Sequence, residues 1–168
     1  MVVLKKRWCF KLTTYTKNIH YLKEAIFSKL TGDATLVSLL GGNGRIFHRS
    51  PPQDAKYPCI AYGIINDREN PFGITQDTGA VTESYFRITI FSKSSKTEET
   101  DNIEARIKEL LNGQRTLDNS TIICYSCFRD NLLEPIKDPD LLVWITPIRY
   151  RVRWATKSSG PYSGFSQK

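Results

Sequence analysis

The spacing of apolar residues predicts two amphipathic helices. From Asn18 to Leu30 apolar side chains recur every three or four residues, which places them on one helix face, with Asn18 as the predicted N-cap. Asp33 predicts the cap of a short helical segment that glycines end after Leu40. A second stripe predicts a helix that ends before Asn112-Gly113, and its apolar members are Ile103, Ile107, Leu110 and Leu111.

Alternating or compact apolar runs predict strands in much of the remaining chain. Pro147 lies inside the last of these runs and must bend that strand or place it at a sheet edge, because proline has no backbone N–H. The stretch 66–80 is polar and punctuated by glycine and proline, so it predicts a long loop. The predicted strands are 45–48, 59–65, 81–92, 121–128 and 141–155.

This order of elements predicts one α+β domain. The loops between the strands are too short for crossover helices, so the sheet should be mainly antiparallel, with the two amphipathic helices packed on one face. We expect the domain to span 18–155, between a basic N-terminal extension, 1–17, and a flexible C-terminal tail, 156–168.

Charge changes this picture at the two ends of the chain. The 168 residues carry a formal net charge of +7. Residues 1–17 and 141–168 each hold five Lys or Arg and no acid, so 18–140 sums to −3. Basic ends meet acidic neighbours, protein or nucleic acid, or simply keep the ends soluble. No apolar run approaches the ~20 residues of a membrane span, so we expect no membrane partner.

The residues that could carry chemistry do not form a known catalytic pattern. The two histidines, His20 and His48, stand outside any nucleophile motif. Cys124 and Cys127 have C-x-x-C spacing, but in a strand positions i and i+3 point to opposite faces, so we expect two core cysteines. The sequence therefore predicts a protein that is not an enzyme and has no catalytic site, metal site or cofactor.

Two features predict contacts with other molecules. Arg149, Arg151 and Arg153 alternate with apolar residues, so they share one face of the last strand and could bind phosphates or carboxylates at an interface with DNA or protein. The alternative is a solvated sheet face. Phe72 and Ile74 are isolated apolar residues in a polar stretch, which is typical of anchors that a partner covers; the alternative is packing on their own domain.

Several stretches together carry a family resemblance. A leading helix is followed by Gly-Asp-Ala-Thr-Leu-Val-Ser-Leu-Leu-Gly (32–41) and by the segment 45–62, with its Arg-Ile-Phe-His-Arg-Ser-Pro-Pro start and Tyr-Pro-Cys-Ile-Ala-Tyr end. The strand Phe-Arg-Ile-Thr-Ile-Phe-Ser-Lys (86–93) leads into a helix, and Leu-Leu-Glu-Pro-Ile-Lys-Asp-Pro-Asp (132–140) precedes the last strand. This pattern, over about 19–155, resembles the tail-completion, or tail-terminator, family of long-tailed phages, prophages and gene transfer agents.

The resemblance implies a structural virion protein, assembled in the host cytoplasm and located in the neck or tail. It implies a homohexameric ring that caps the head-proximal end of the tail tube and joins it to the head connector. The implied partners are further copies of this chain, the tail tube protein and a head-completion or connector protein, with phage DNA passing through the ring. In such a ring Arg149, Arg151 and Arg153 could face a subunit interface or the central channel. Phe72 and Ile74 could contact a neighbouring subunit or the next ring. The alternatives are another neck component, such as a head-closure or head–tail joining protein, and a small basic nucleic-acid-binding domain.

Overall fold

The structure is a computed structural model. It describes the backbone of residues 9–75, 79–95 and 97–157, and the side chains of residues 19–68, 81–95 and 97–157. The helices are α1 (Cys9–Thr31), α2 (Ala34–Leu40) and α3 (Thr97–Leu111), and a 3₁₀ turn covers Asn43–Arg45. The strands are β1 (Ile46–His48), β2 (Cys59–Thr75), β3 (Gly79–Ser92), β4 (Ile122–Leu132), β5 (Ile136–Asp138) and β6 (Val143–Thr156).

The six strands form one mostly antiparallel sheet. Their order is β1-β2-β3-β6-β4, with β5 paired to the start of β6, and only β1 and β2 run parallel to each other. The predicted α+β class is therefore confirmed, as is the antiparallel character of the sheet.

The helices cover one face of this sheet, which we call the inner face. The core joins α1 and α3 to the middle strands, as predicted: Leu22, Ile26, Ile103 and Ile107 are fully buried with Ile88. Asp33 caps α2 as predicted, because its Oδ1 accepts a hydrogen bond from the Leu36 N–H at 2.7 Å. The Asp33 carboxylate also accepts two bonds from Arg106, at 3.0 and 2.5 Å, and so ties α2 to α3.

The first helix begins earlier than predicted. Asn18, the predicted N-cap, lies inside α1, which starts at Cys9. The spacing of three and four residues continues back from Ile19 to Tyr15 and Leu12, and no glycine or proline interrupts it. The polar Asn18 was therefore a weaker signal than the unbroken apolar stripe.

The predicted loop 66–80 was wrong, because most of it is a β-hairpin. β2 continues to Thr75 and β3 begins at Gly79, with Ile74 paired to Ala80 and Thr75 to Gly79. The register shifts between Asn70 and Ile74, so residues 71–73 lie outside the ladder. The irregularity accommodates Pro71 and Gly73, which favoured a loop in the sequence. Residues 76–78 lie outside the described residues.

Pro147 lies in the middle of the sheet rather than at an edge. β6 pairs with β3 on one side and with β4 and β5 on the other. The Pro147 carbonyl accepts a bond from the Leu133 N–H, so the proline nitrogen also faces the junction between β4 and β5. Its missing N–H therefore removes no bond from the ladder with β3.

Candidate functional site

The inner face holds the cysteines that sequence analysis considered for chemistry. Cys124 and Cys127 are both fully buried and both face the core, so their predicted divergence was wrong. The register shift between Cys124 and Ser126 adds Tyr125 as an extra residue and returns Cys127 to the inner side. Burial raises the pKa of both thiols, and it raises the pKa of the Cys59 thiol to about 11. All three are therefore protonated core side chains near neutral pH.

The two histidines have local partners of other kinds. The His20 Nε2 is 3.0 Å from the Glu24 carboxylate on the exposed side of α1. The His48 ring lies 5.4 Å from the Tyr62 ring, and burial, reinforced by Lys23 and Arg49, lowers the pKa of His48. Within the described residues, no three His, Cys, Asp or Glu side chains are grouped as metal ligands would be. None of the described helices is both long and apolar enough for a membrane span.

The three alternating arginines of β6 lie on the side of the sheet away from the helices, which we call the outer face. Arg149, Arg151 and Arg153 are exposed, while the residues between them are buried, which confirms the predicted alternation. The register adds two exposed arginines from neighbouring strands: Arg87 is opposite Arg149, and Arg68 lies in one row with Glu83 and Arg153. We call these five residues the arginine face.

Aromatic side chains accompany the arginine face. In the register, Tyr85 and Phe128 flank Arg151 from β3 and β4, and Phe128 is 46% exposed. Sequence analysis found no such residues, because Tyr150 and Trp154, the aromatic residues that alternate with these arginines in β6, point into the core. Only the pairing of strands distant in sequence places Tyr85 and Phe128 there. The nearby guanidinium of Arg149 lies 5.7 Å from the centre of the Tyr85 ring.

Few acids balance this face. Arg149 is paired with Asp130, with its Nε 2.6 Å from Oδ2. Glu83 accepts a hydrogen bond from the Tyr85 hydroxyl at 3.2 Å. In the part of the chain with described side chains, no carboxylate lies within 4.0 Å of Arg87, Arg151 or Arg153. Five arginines and two acids give the outer face a net charge of +3.

A groove of opposite character lies on the inner side, where α3 begins. Its volume is about 340 Å³, and its walls include Leu132, Pro135 and Trp144. Leu132 is 40% and Trp144 36% exposed, which is high for such large apolar side chains. Asp101, Glu104 and Glu134 line the same groove, and Glu104 is paired with Arg129. No sequence pattern singled out this groove, because it joins α3 to two strands distant in sequence.

The two long edges of the sheet differ. The segment after α3 covers the edge of β4. The backbones of Gly113 and Cys127 form two hydrogen bonds, and the Arg115 N–H donates to the Cys124 carbonyl. The Asn112 side-chain oxygen accepts a hydrogen bond from the Arg129 N–H. On the opposite edge, β1 pairs only with 60–62 of β2. Among the described residues, no strand pairs with that edge of β2 beyond Tyr62. The stretch that holds Phe72 and Ile74 thus has an open backbone edge, and the side chains of these two residues lie outside the described residues.

Comparison with known proteins fits this architecture. The family model described as tail completion protein gp17 matches residues 24–131, from α1 to β4. A chain in a solved structure, the virion of a native gene transfer agent particle, has a similar fold, with a TM-score of 0.59 at 14% identity. That match covers 77% of this chain and 91% of the other chain. No curated protein matches the sequence.

Proposed function

Because this chain belongs to the family of tail completion protein gp17, we propose that it forms a homohexameric ring at the head-proximal end of a phage tail. It is a structural protein of the bacteriophage virion, as the resemblance implied. In the proposed role, the ring closes the tail tube and provides the surface that joins it to the head connector. The family match over residues 24–131 is the observation that carries this proposal.

The described residues support a binding role rather than catalysis. The buried thiols are protonated, and five exposed arginines lie together on one face of the sheet. Exposed arginine together with tyrosine and phenylalanine is the composition of protein interfaces. In the proposed role, the chain therefore works by binding other virion proteins on either side of it.

The arginine face also supports a second candidate, contact with nucleic acid. Arginines interleaved with aromatic rings on an open sheet can bind phosphates and stack on bases. The two roles differ in their response to salt. Charges facing a water-filled channel are screened over a Debye length, ~8 Å at physiological ionic strength, whereas desolvated interface pairs resist salt.

The direct test is to locate the protein in particles. An epitope attached after Lys168 should be labelled by antibody at the junction between head and tail, and purified protein should give sixfold rings by electron microscopy. A strain without the protein should accumulate filled heads and separate tails. Label on the head connector alone would favour a head-closure protein, and label elsewhere would contradict both roles.

The stretch around Phe72 and Ile74 provides a second contact in this proposal. An unpaired strand edge readily binds another strand, and the edge of β2 beyond Tyr62 is open in the described chain. In this proposal Phe72 and Ile74, which lie on this part of β2, contact the neighbouring subunit or the next ring.

A further inference from the structure

The two charged surfaces of the domain lie on opposite sides of the sheet. The arginine face is on the outer side of β3 and β6. The groove is on the inner side, because Trp144 and Thr146 of its wall alternate along β6 in step with the core residue Ile148. One molecule cannot bring the two surfaces together, but two molecules can.

Their charges are complementary. The outer face carries a net +3. Three carboxylates, Asp101, Glu104 and Glu134, line the groove. Arg129 pairs with Glu104 and Lys137 lies over the Trp144 ring, so the net charge of these five residues is −1. Within the described residues, neither Asp101 nor Glu134 forms an ion pair. Carboxylates on the rim of an apolar groove suit a guanidinium, which has a flat weakly hydrated head and an apolar stem.

From this arrangement, and resting on the ring proposed above, we infer that the arginine face of one copy docks on the acidic groove of the next copy. The contact joins two different surfaces, so it is heterologous and each subunit uses both. Heterologous contacts repeat until the rotation closes a ring. In this account the arginines lie between subunits and not in the channel.

Apolar contacts accompany the charges. Phe128 stands beside Arg151 on the outer face, and Leu132 and Trp144 line the groove. Burying exposed aromatic and aliphatic side chains supplies binding free energy, while the charges fix orientation and exclude wrong partners. The same combination explains why these large apolar residues are exposed in the single chain.

Charge reversal on both surfaces tests the inference. The outer variant carries Arg151→Glu and Arg153→Glu, and the groove variant carries Asp101→Lys and Glu134→Lys. Each alone should weaken self-association at least about tenfold in sedimentation experiments, because like charges then face each other. An equal mixture should recover assemblies of wild-type size, since alternating copies restore opposite charges at every contact.

The matched control is Lys108→Glu, an exposed reversal on α3 outside both surfaces, which should assemble as wild type. Circular dichroism checks that every variant is folded, and Arg151→Gln with Asp101→Asn provides milder versions if a reversal unfolds. The inference would be overturned if either variant alone assembled as strongly as wild type, or if the mixture did not recover assembly. It would also be overturned if the wild-type protein stayed monomeric at low salt and high concentration. Rings indifferent to these reversals but located at the tail end would leave the proposed function standing. Absence of the protein from the tail end would contradict the function, whatever the mixture does.

Discussion

Where the helices cover it, the inner face of the sheet carries apolar side chains that are removed from solvent, whereas the outer face of the same strands carries exposed arginines. On β6, Ile148, Tyr150 and Val152 are fully buried, and Arg149 and Arg151 between them are exposed. The helices α1 and α3 cover only the inner side. The inner face therefore contributes most of the packing, and binding is the role proposed for the arginines of the outer face. Substitutions on the two faces should then have separable effects.

The largest expected difference concerns neighbours on β3. Ile88→Asp places an unpaired charge in the core, where Ile88 is fully buried, and should lower the free energy of unfolding by several kcal/mol. The control is Arg87→Asp on the outer face, which should change it by less than about 0.5 kcal/mol. Chemical denaturation measures both. Similar melting of Ile88→Asp and wild type would show that the face assignment is wrong.

A smaller effect is expected from a buried polar contact of the inner face. The Ser84 hydroxyl donates to Asp67 at 2.5 Å and accepts from the Trp154 indole N–H at 2.8 Å. Ser84→Ala leaves the buried indole N–H without its partner and should cost about 1–3 kcal/mol. The control Ser126→Ala lies on the outer face beside Arg153 and should be nearly neutral in the same denaturation experiment. An equal loss of unfolding free energy in the two variants would contradict the proposal that the inner face contributes more to stability than the outer face.

Within the helical layer, the lowered pKa of Asp33 should make the stability of the fold depend on pH. Arg106 hydrogen bonds, and to a lesser extent the Leu36 N–H, hold the pKa of Asp33 below its ordinary value against the opposing effect of burial. Because the folded pKa is lowered, the stabilisation is present above the unfolded pKa of about 4 and is lost as pH falls through the folded value.

Asp33→Asn keeps a capping residue but loses the ion pair, so it should cost at most about 1 kcal/mol near neutral pH. Urea melts at a series of pH values should bring the variant and wild type together below about pH 4. A difference that persists unchanged in acid would mean that the ion pair does not stabilise the fold. Asp101→Asn, an exposed position on α3, controls for loss of charge alone.

The distal part of the β2–β3 hairpin, residues 66–75 and 79–80, is expected to contribute to assembly and to contribute little to the stability of the fold. Replacing Phe72 and Ile74 with serine should leave the melting temperature nearly unchanged and reduce incorporation into tails, since these residues are proposed to contact a neighbour. Thermal melts and tail assembly assays measure the two effects. The control Ile64→Ser, which removes an apolar side chain packed against the core, should lower the melting temperature. Unimpaired assembly of the double variant would contradict the proposed contact.

Sequence alone predicted most features that depend on local spacing, although it placed the start of α1 at Asn18 instead of Cys9. The periodicity of three and four residues found both main helices, and the alternation along β6 assigned its arginines to one face. The errors arose where a register shift changes that spacing, as at Tyr125 in β4 and at 71–73 in β2. The position of Pro147 and the groove at α3 depend on which strands become neighbours, and this is set by contacts distant in sequence.

The outer arginines provide the most direct measurement of the central claim, which is that this face binds a partner and does not stabilise the fold. Arg149, Arg151 and Arg153 are replaced together by alanine, and a control replaces the exposed Lys56, Lys93 and Lys108, which removes the same charge elsewhere. Melting temperature, ring formation and the yield of infectious particles are then compared. We predict that both variants melt within a few degrees of wild type and that only the arginine variant fails to form rings and joined particles. Normal rings and full infectivity from the arginine variant would show that these arginines are a solvated sheet face.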